Sequence, residues 1–356
     1  MNLRHKIFIS AVVSLFFGIS FFNFNASNAQ QNPTIKPSPT ATPVIEDDDE
    51  PIKIDTEVVN ILFTAQDKNR RLLTDLKKED VRILENGQPQ EITYFGRQVD
   101  LPLSLAILID TSASQERTLP EEKSAAISFV DSVIEKEKDE VAIISFTGDA
   151  TLEQGMTNNV TRLRRAIERI EFVPPSGYIG GGVVVGTPPI SGKNQITQGS
   201  TAIWDAIWIT ADEILGPAPE KTRRAIILLT DGVNTYGQKK LEEAVQASLK
   251  SEAVIYSIGI GDNFYDGVDK GVLNKISERT GGRAFFPRDE AELRAAFVQI
   301  QIEMRSQFLI AYEPTNQKRD GSFRTVEIQI ANTELAKQKV TLTHRKGYFA
   351  KSETKK

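Results

Sequence analysis

The sequence predicts an α/β protein in which a doubly wound, mostly parallel sheet is flanked by a β-sandwich built from N- and C-terminal segments. Three observations carry this. From about 101 to 304, continuous apolar runs alternate with amphipathic ones; on both sides of that stretch the pattern changes to two-residue alternation; and 356 residues, 40% hydrophobic and 26% charged, suffice for about two folded domains.

Residues 1–29 read as a secretory signal. Arg4, His5 and Lys6 precede an apolar run from Ile7 to Phe22, which ends before the small-residue pattern Ser27-Asn28-Ala29. That run falls short of the roughly 20 residues that span a bilayer, so a cleaved leader is expected, with an uncleaved anchor as the alternative, and no stable span after cleavage. Loss of the leader would leave 41 basic against 48 acidic residues, a balance of −7 in place of −5. The expected site of action is periplasmic or extracellular.

Residues 30–51 carry Pro33, Pro37, Pro39, Pro43 and Pro51 among Thr, Ser and Gln, a composition that cannot bury a core. They read as a tether, and the acidic run Glu46 to Glu50 as a solvated charge run.

Residues 52–100 alternate in Glu57 to Phe63 and Val81 to Leu84, and Asn86-Gly87 signals a hairpin followed by a strand from Glu91 to Phe95. About 45 residues of strand make a thin core. Residues 305–349 alternate likewise at Phe308 to Tyr312, Thr325 to Ile330 and Lys339 to Thr343, so one sandwich is expected from both flanks, with 350–356 as a tail.

Within 101–304, buried-strand runs occur at Leu103 to Ile109, Val141 to Phe146, Ala225 to Thr230 and Val254 to Ile260. Helical patterns lie near Leu119 to Glu135, Val160 to Ile170, Ala202 to Ile214, Lys239 to Lys250, Val272 to Glu278 and Glu290 to Arg305. In such sheets ligands bind at the carboxyl ends of the strands.

Composition narrows the chemistry that edge can host. There is no Cys and only two His, His5 and His344, which excludes thiol catalysis, disulfides, Cys-based zinc sites and a His-paired metal centre. The acidic balance speaks against nucleic acid. What stands at the strand ends is oxygen. The first apolar run enters Asp110-Thr111-Ser112-Ala113-Ser114, where alternate residues can face one cation. The run Ala225 to Thr230 ends in Asp231-Gly232, and Thr201 opens a helix between them. An oxygen-only set of Asp110, Ser112, Ser114, Thr201 and Asp231 suits Mg²⁺, with Mn²⁺ or Ca²⁺ as substitutes.

At these residues the chain resembles the von Willebrand factor type A (VWA) family, in particular its bacterial secreted relatives. That family's metal-ion-dependent adhesion site reads Asp-x-Ser-x-Ser, a separate Thr, and a later Asp commonly followed by Gly. Asp110, Ser112, Ser114, Thr201 and Asp231 before Gly232 match all five positions. The resemblance covers about 101–304, and Leu84-Glu85-Asn86-Gly87 and Ala311-Tyr312-Glu313-Pro314-Thr315 resemble the same subgroup. It implies a VWA fold and a non-enzymatic adhesion or scaffold module. It also implies that Asp110 or Asp231 binds partly through water, and that an Asp or Glu of a protein partner completes the metal's shell.

Rival readings remain open at this stage. Each motif alone reads as ordinary structure, an N-cap before Leu119 or a turn at Asp231-Gly232. A metal-dependent phosphohydrolase would need a second acid where Ser112 stands, and a third reading is a metal that only stabilises the fold. Gly186 to Asn194 is no phosphate loop, because five residues separate its glycines and Asn194 follows Lys193. Asp262, Asp266 and Asp269 lack EF-hand spacing. Trp204 and Trp208 read as core. Pro174 to Gly199, with seven glycines and four prolines, has two readings: a loop that borders the cation and offers Tyr178 and Val183 to Val185 to a partner, or an insertion that makes no contacts.

Overall fold

A computed structural model describes residues 57–98, 101–135, 137–174, 179–180, 183–184, 200–219, 221–261 and 267–352. The expected leader and linker, Tyr178, Val185, Asp262 and Asp266, most of the 174–199 segment and the last four residues lie outside the described residues.

The N-terminal flank supplies β1 (Val59–Gln66), β2 (Val81–Glu85), β3 (Gln88–Gln90) and β4 (Ile92–Gln98). The Asn86-Gly87 turn is present, with φ of 49° and 78°, the left-handed pair that a tight two-residue hairpin demands. One expectation needs correcting: the hairpin returns as β3, not as the strand from Glu91. Pro89 cannot donate to a ladder and so sits on an edge strand, after which the chain crosses to the other sheet as β4.

The central stretch begins with β5 (Leu103–Asp110) and α1 (Leu119–Val133), then β6 (Glu140–Phe146), β7 (Ala150–Thr157) and α2 (Val160–Arg169). A two-residue pair follows, β8 (Ile179–Gly180) with β9 (Val183–Val184). Next come α3 (Ile203–Ile209), continued by a π turn over Thr210–Leu215, then β10 (Arg223–Thr230), α4 (Leu241–Lys250) and β11 (Ala253–Gly259). It closes with α5 (Lys270–Thr280), β12 (Ala284–Phe285) and α6 (Glu290–Arg305).

The sheet order is β12-β11-β10-β5-β6-β7, parallel except for β7. All eight residues of β5 and of β10 are buried, because helices cover both faces and leave no solvent side on which polar residues could alternate. One face packs on α1, α2 and α6 through Phe129, Ile167, Phe297 and Ile300. The opposite face packs on α3, α4 and α5 through Ile203, Ile207, Val245, Leu273 and Ile276.

The C-terminal flank adds β13 (Gln307–Tyr312), β14 (Phe323–Ile330), α7 (Thr333–Lys337), β15 (Thr341–His344) and β16 (Gly347–Phe349). Two antiparallel sheets result, β15-β1-β13-β4 and β16-β14-β2-β3, each containing strands from both ends of the chain. Their inner faces share one core in which Ile61, Phe63 and Ile83 meet Phe308, Ile310 and Ile328. Neither flank has enough apolar surface to cover its own strands, so each completes the other.

Candidate metal centre

Strands β5 and β10 are neighbours, and their register pairs Ile109 with Leu229, which brings the next residues, Asp110 and Thr230, side by side at the carboxyl ends. The Thr230 hydroxyl donates to Asp110 Oδ2 at 2.6 Å, and the Ser112 backbone N–H donates to Asp110 Oδ1 at 2.9 Å. Asp231 Oδ1 accepts the Val233 N–H at 2.9 Å. The Ser112 and Ser114 hydroxyls lie 3.3 Å apart. The motif does not cap α1, whose N-cap is Thr118, with no side-chain capping bond.

Thr201 reaches the same edge by backbone pairing. Its N–H donates to the Thr235 hydroxyl at 2.8 Å, and its carbonyl accepts the N–H groups of Thr235 and Tyr236 at 2.9 and 3.1 Å. From the other side the Thr147 carbonyl accepts the Ala202 N–H at 2.7 Å. Thr201 is therefore clamped between the loop that leaves β10 and the turn that leaves β6.

Asp110, Ser112, Thr201 and Asp231 are all buried. Burial, reinforced by the Asp231 charge, pushes Asp110 up to about 7 despite its hydrogen bonds from Ser112 and Thr230. Burial also raises Asp231, against the pull of the Ser114 side chain and the Val233 N–H. Among the described residues, no Lys, Arg or His pairs with either carboxylate. Two buried acids and several hydroxyls without a counter-charge are a donor set that a hard divalent cation fits. Among the described residues there is no group of three or more His, Cys, Asp or Glu able to hold a metal, so an ion here would rest on two carboxylates, hydroxyls and water.

Three residues at this edge went unread in the sequence. Thr230 orients Asp110. Buried Gln115 donates to Ser114 Oγ at 3.4 Å and to the Ile260 carbonyl at 3.2 Å, and accepts the Thr118 hydroxyl at 2.9 Å, tying the motif to the end of β11. Glu122, fully buried in the first turn of α1, leaves both carboxylate oxygens without a hydrogen-bond partner. Burial, with added repulsion from Asp110 and Asp231, pushes it up to about 8. A Glu on the apolar stripe Leu119, Glu122, Ala126 was the available signal.

With this geometry, two family models of the von Willebrand factor type A domain match the chain, over residues 105–234 and 190–299. The chain is a VWA domain protein, and such domains are typically interaction modules with a metal-ion-dependent adhesion site. Among solved structures, an aerotolerance-related membrane protein from Bacteroides fragilis is 20% identical, covering 57% of this chain and 100% of its own, at a TM-score of 0.42. Proximal thread matrix protein 1 of the mussel byssus, solved with a zinc-occupied MIDAS motif, is 20% identical over 62% of this chain and 49% of its own, at 0.45. A von Willebrand factor type A protein from Catenulispora acidiphila is 15% identical over 85% and 76%, at 0.44. No curated protein matches the chain.

Proposed function

We propose that the protein is an exported, non-enzymatic interaction module that binds a protein ligand through a divalent cation held by Asp110, Ser112, Ser114, Thr201 and Asp231. The observation that carries this is the pair of buried carboxylates, Asp110 and Asp231, at adjoining strand ends without a cationic partner among the described residues. A bound Mg²⁺, Mn²⁺ or Ca²⁺ would supply the missing charge and an open coordination position for an Asp or Glu of the partner. The chain's own contribution is positional. Thr230 and the Ser112 N–H fix both oxygens of Asp110, and the Thr201 clamp holds the third hydroxyl at the same edge.

A non-catalytic role agrees with the donor set, in which the residue two after Asp110 is a hydroxyl and not the second acid of a phosphoryl-transfer site. Export rests on the leader-like residues 1–29, and among the described residues no helix is long and apolar enough to cross a membrane. The test is capture of extracellular proteins by wild type and by Asp110→Ala, with and without Mg²⁺. A partner retained only by wild type with Mg²⁺ is the expected result, and one retained equally after chelation would sink the proposal.

A further inference from the structure

Although acidic residues outnumber basic ones 48 to 43, one groove collects cations. It runs along the β12 edge of the parallel sheet, two strands away from β10. Two adjoining cavities of about 790 and 290 Å³ share Arg70, Arg283, Phe285 and Phe286 in their walls, and Lys68 and Lys346 line the larger one.

The groove is built. After β1, Asp67 Oδ1 accepts the N–H groups of Asn69 and Arg71 at 2.8 and 2.9 Å, and Oδ2 accepts the Arg71 side chain. This brace holds Arg70 at φ 62°, a left-handed conformation that a long side chain adopts only when its surroundings impose it. Opposite, the Arg283 guanidinium lies 5.3 Å from the centroid of the Phe285 ring and pairs with buried Glu303. Burial lowers the Arg283 pKa and the Arg70 charge lowers it further, so the two guanidinium groups feel each other.

Most nearby acids are engaged. Arg71 holds Asp67, Arg288 holds Glu292, and Glu303 accepts Gln66 and Gln299 besides Arg283. Glu278 is the remaining acid in the wall. Lys68, Arg70 and Lys346 form no ion pair among the described residues. Strand β12 is the last of its sheet, pairing with β11 on one side only, and an edge of this kind can accept an added strand.

We propose that this groove is a second docking surface, which takes an extended, carboxylate-rich peptide segment of a partner protein along β12, its acidic side chains meeting Lys68, Arg70 and Lys346. The larger cavity has four cations against Asp67 and Glu278, a surplus of two that matches a few carboxylates. A duplex bearing a phosphate charge about every 1.7 Å would demand more. Phe285 and Phe286 give the alternate, apolar side chains of such a strand a surface to cover.

The probe is a fluorescein-labelled (Glu-Ala)₅ peptide, titrated by anisotropy against the full chain in chelator, so that the cation site takes no part. Wild type should bind it better than (Gln-Ala)₅ and better than an oligothymidylate of equal charge. The Lys68→Glu/Arg70→Glu variant should weaken binding about tenfold or more. Lys346→Glu, exposed on the opposite wall, should do the same and covers the case in which the double variant misfolds. Asp110→Ala should leave binding unchanged, which separates this surface from the proposed cation site. No binding by wild type, equal binding of the neutral peptide or the oligothymidylate, retained affinity in the folded charge-reversed variants, or dependence on Asp110 would each overturn the proposal.

Discussion

Tyr312, the last residue of β13, donates its hydroxyl to Glu85 Oε2 at the end of β2, 2.9 Å away and 227 residues earlier in the chain. Tyr348 donates to the same oxygen at 2.8 Å, and buried Arg324 lies 3.5 Å from Oε1. Arg324 also bonds the carbonyls of Asn316 and Lys318. One carboxylate thus joins three C-terminal residues to the N-terminal flank across both sheets of the sandwich. Its removal would leave a buried guanidinium without its counter-charge.

Glu85→Ala is therefore expected to destabilise the fold by about 3–5 kcal/mol, the cost typical of orphaning one partner of a buried ion pair. Tyr312→Phe, which removes one hydrogen bond to a charged group, should cost about 1.5–3 kcal/mol. Urea denaturation followed by circular dichroism measures both. Equal midpoints for Glu85→Ala and wild type would show that the network adds nothing.

Glu122 makes the apo protein pH-sensitive. Its folded pKa of about 8 lies above the ordinary carboxylate value of 4.5, so folding favours the protonated acid. The stability it contributes is complete below about 4.5 and is lost as pH rises through about 8. In chelator, Glu122→Gln should flatten the fall of Tm across that window, and at pH 8 it should be more stable than wild type by on the order of a few kcal/mol. Parallel Tm profiles for the two proteins would refute the assignment.

How much of this was readable follows from how each residue earns its place. The runs at Leu103 and Ala225 show directly in sequence, because a strand covered on both faces needs apolar residues throughout, and the hydroxyls and acids that follow stand out against them. Strand β7 escapes notice because Thr151-Leu152-Glu153-Gln154 pairs on one side only and keeps polar residues, and β12 because two residues carry no periodicity. Among the site residues, Asp110 and Asp231 declare themselves by position. Gln115, Thr230 and Glu122 act through partners up to 145 residues away, and only the folded chain brings those partners within reach.

Cation affinity should fall with pH. A divalent ion requires ionised Asp110, and burial with the nearby Asp231 charge holds Asp110 near 7 in the metal-free protein. Mg²⁺ binding below that value must expel a proton, so calorimetric affinity should drop by about tenfold per pH unit below 7 and level off above it. Thr230→Val removes a hydrogen bond that favours the charged acid, so it should move the break to higher pH. A flat profile from pH 5.5 to 8 would remove Asp110 from the ligand set.

Asp205, in the first turn of α3, fixes the loop that clamps Thr201. Its Oδ1 accepts the Gln238 N–H at 3.0 Å and its Oδ2 the Lys239 N–H at 3.1 Å. Gly237 between them and the clamp has φ 120°, and a Cβ there would stand 2.2 Å from Asp205 Oδ2, so this approach needs glycine as well as the acid. Asp205→Ala orphans two backbone donors, at a cost of about 1–2 kcal/mol, and frees the stretch that carries Thr235 and Tyr236. Mg²⁺ affinity should fall about tenfold although Asp205 touches no proposed ligand, the loss expected when the support of a metal ligand is removed. Gly237→Ala should reproduce both effects through the opposite partner. Unchanged Mg²⁺ affinity in both variants, at reduced stability, would mean that the clamp serves the fold and not the cation.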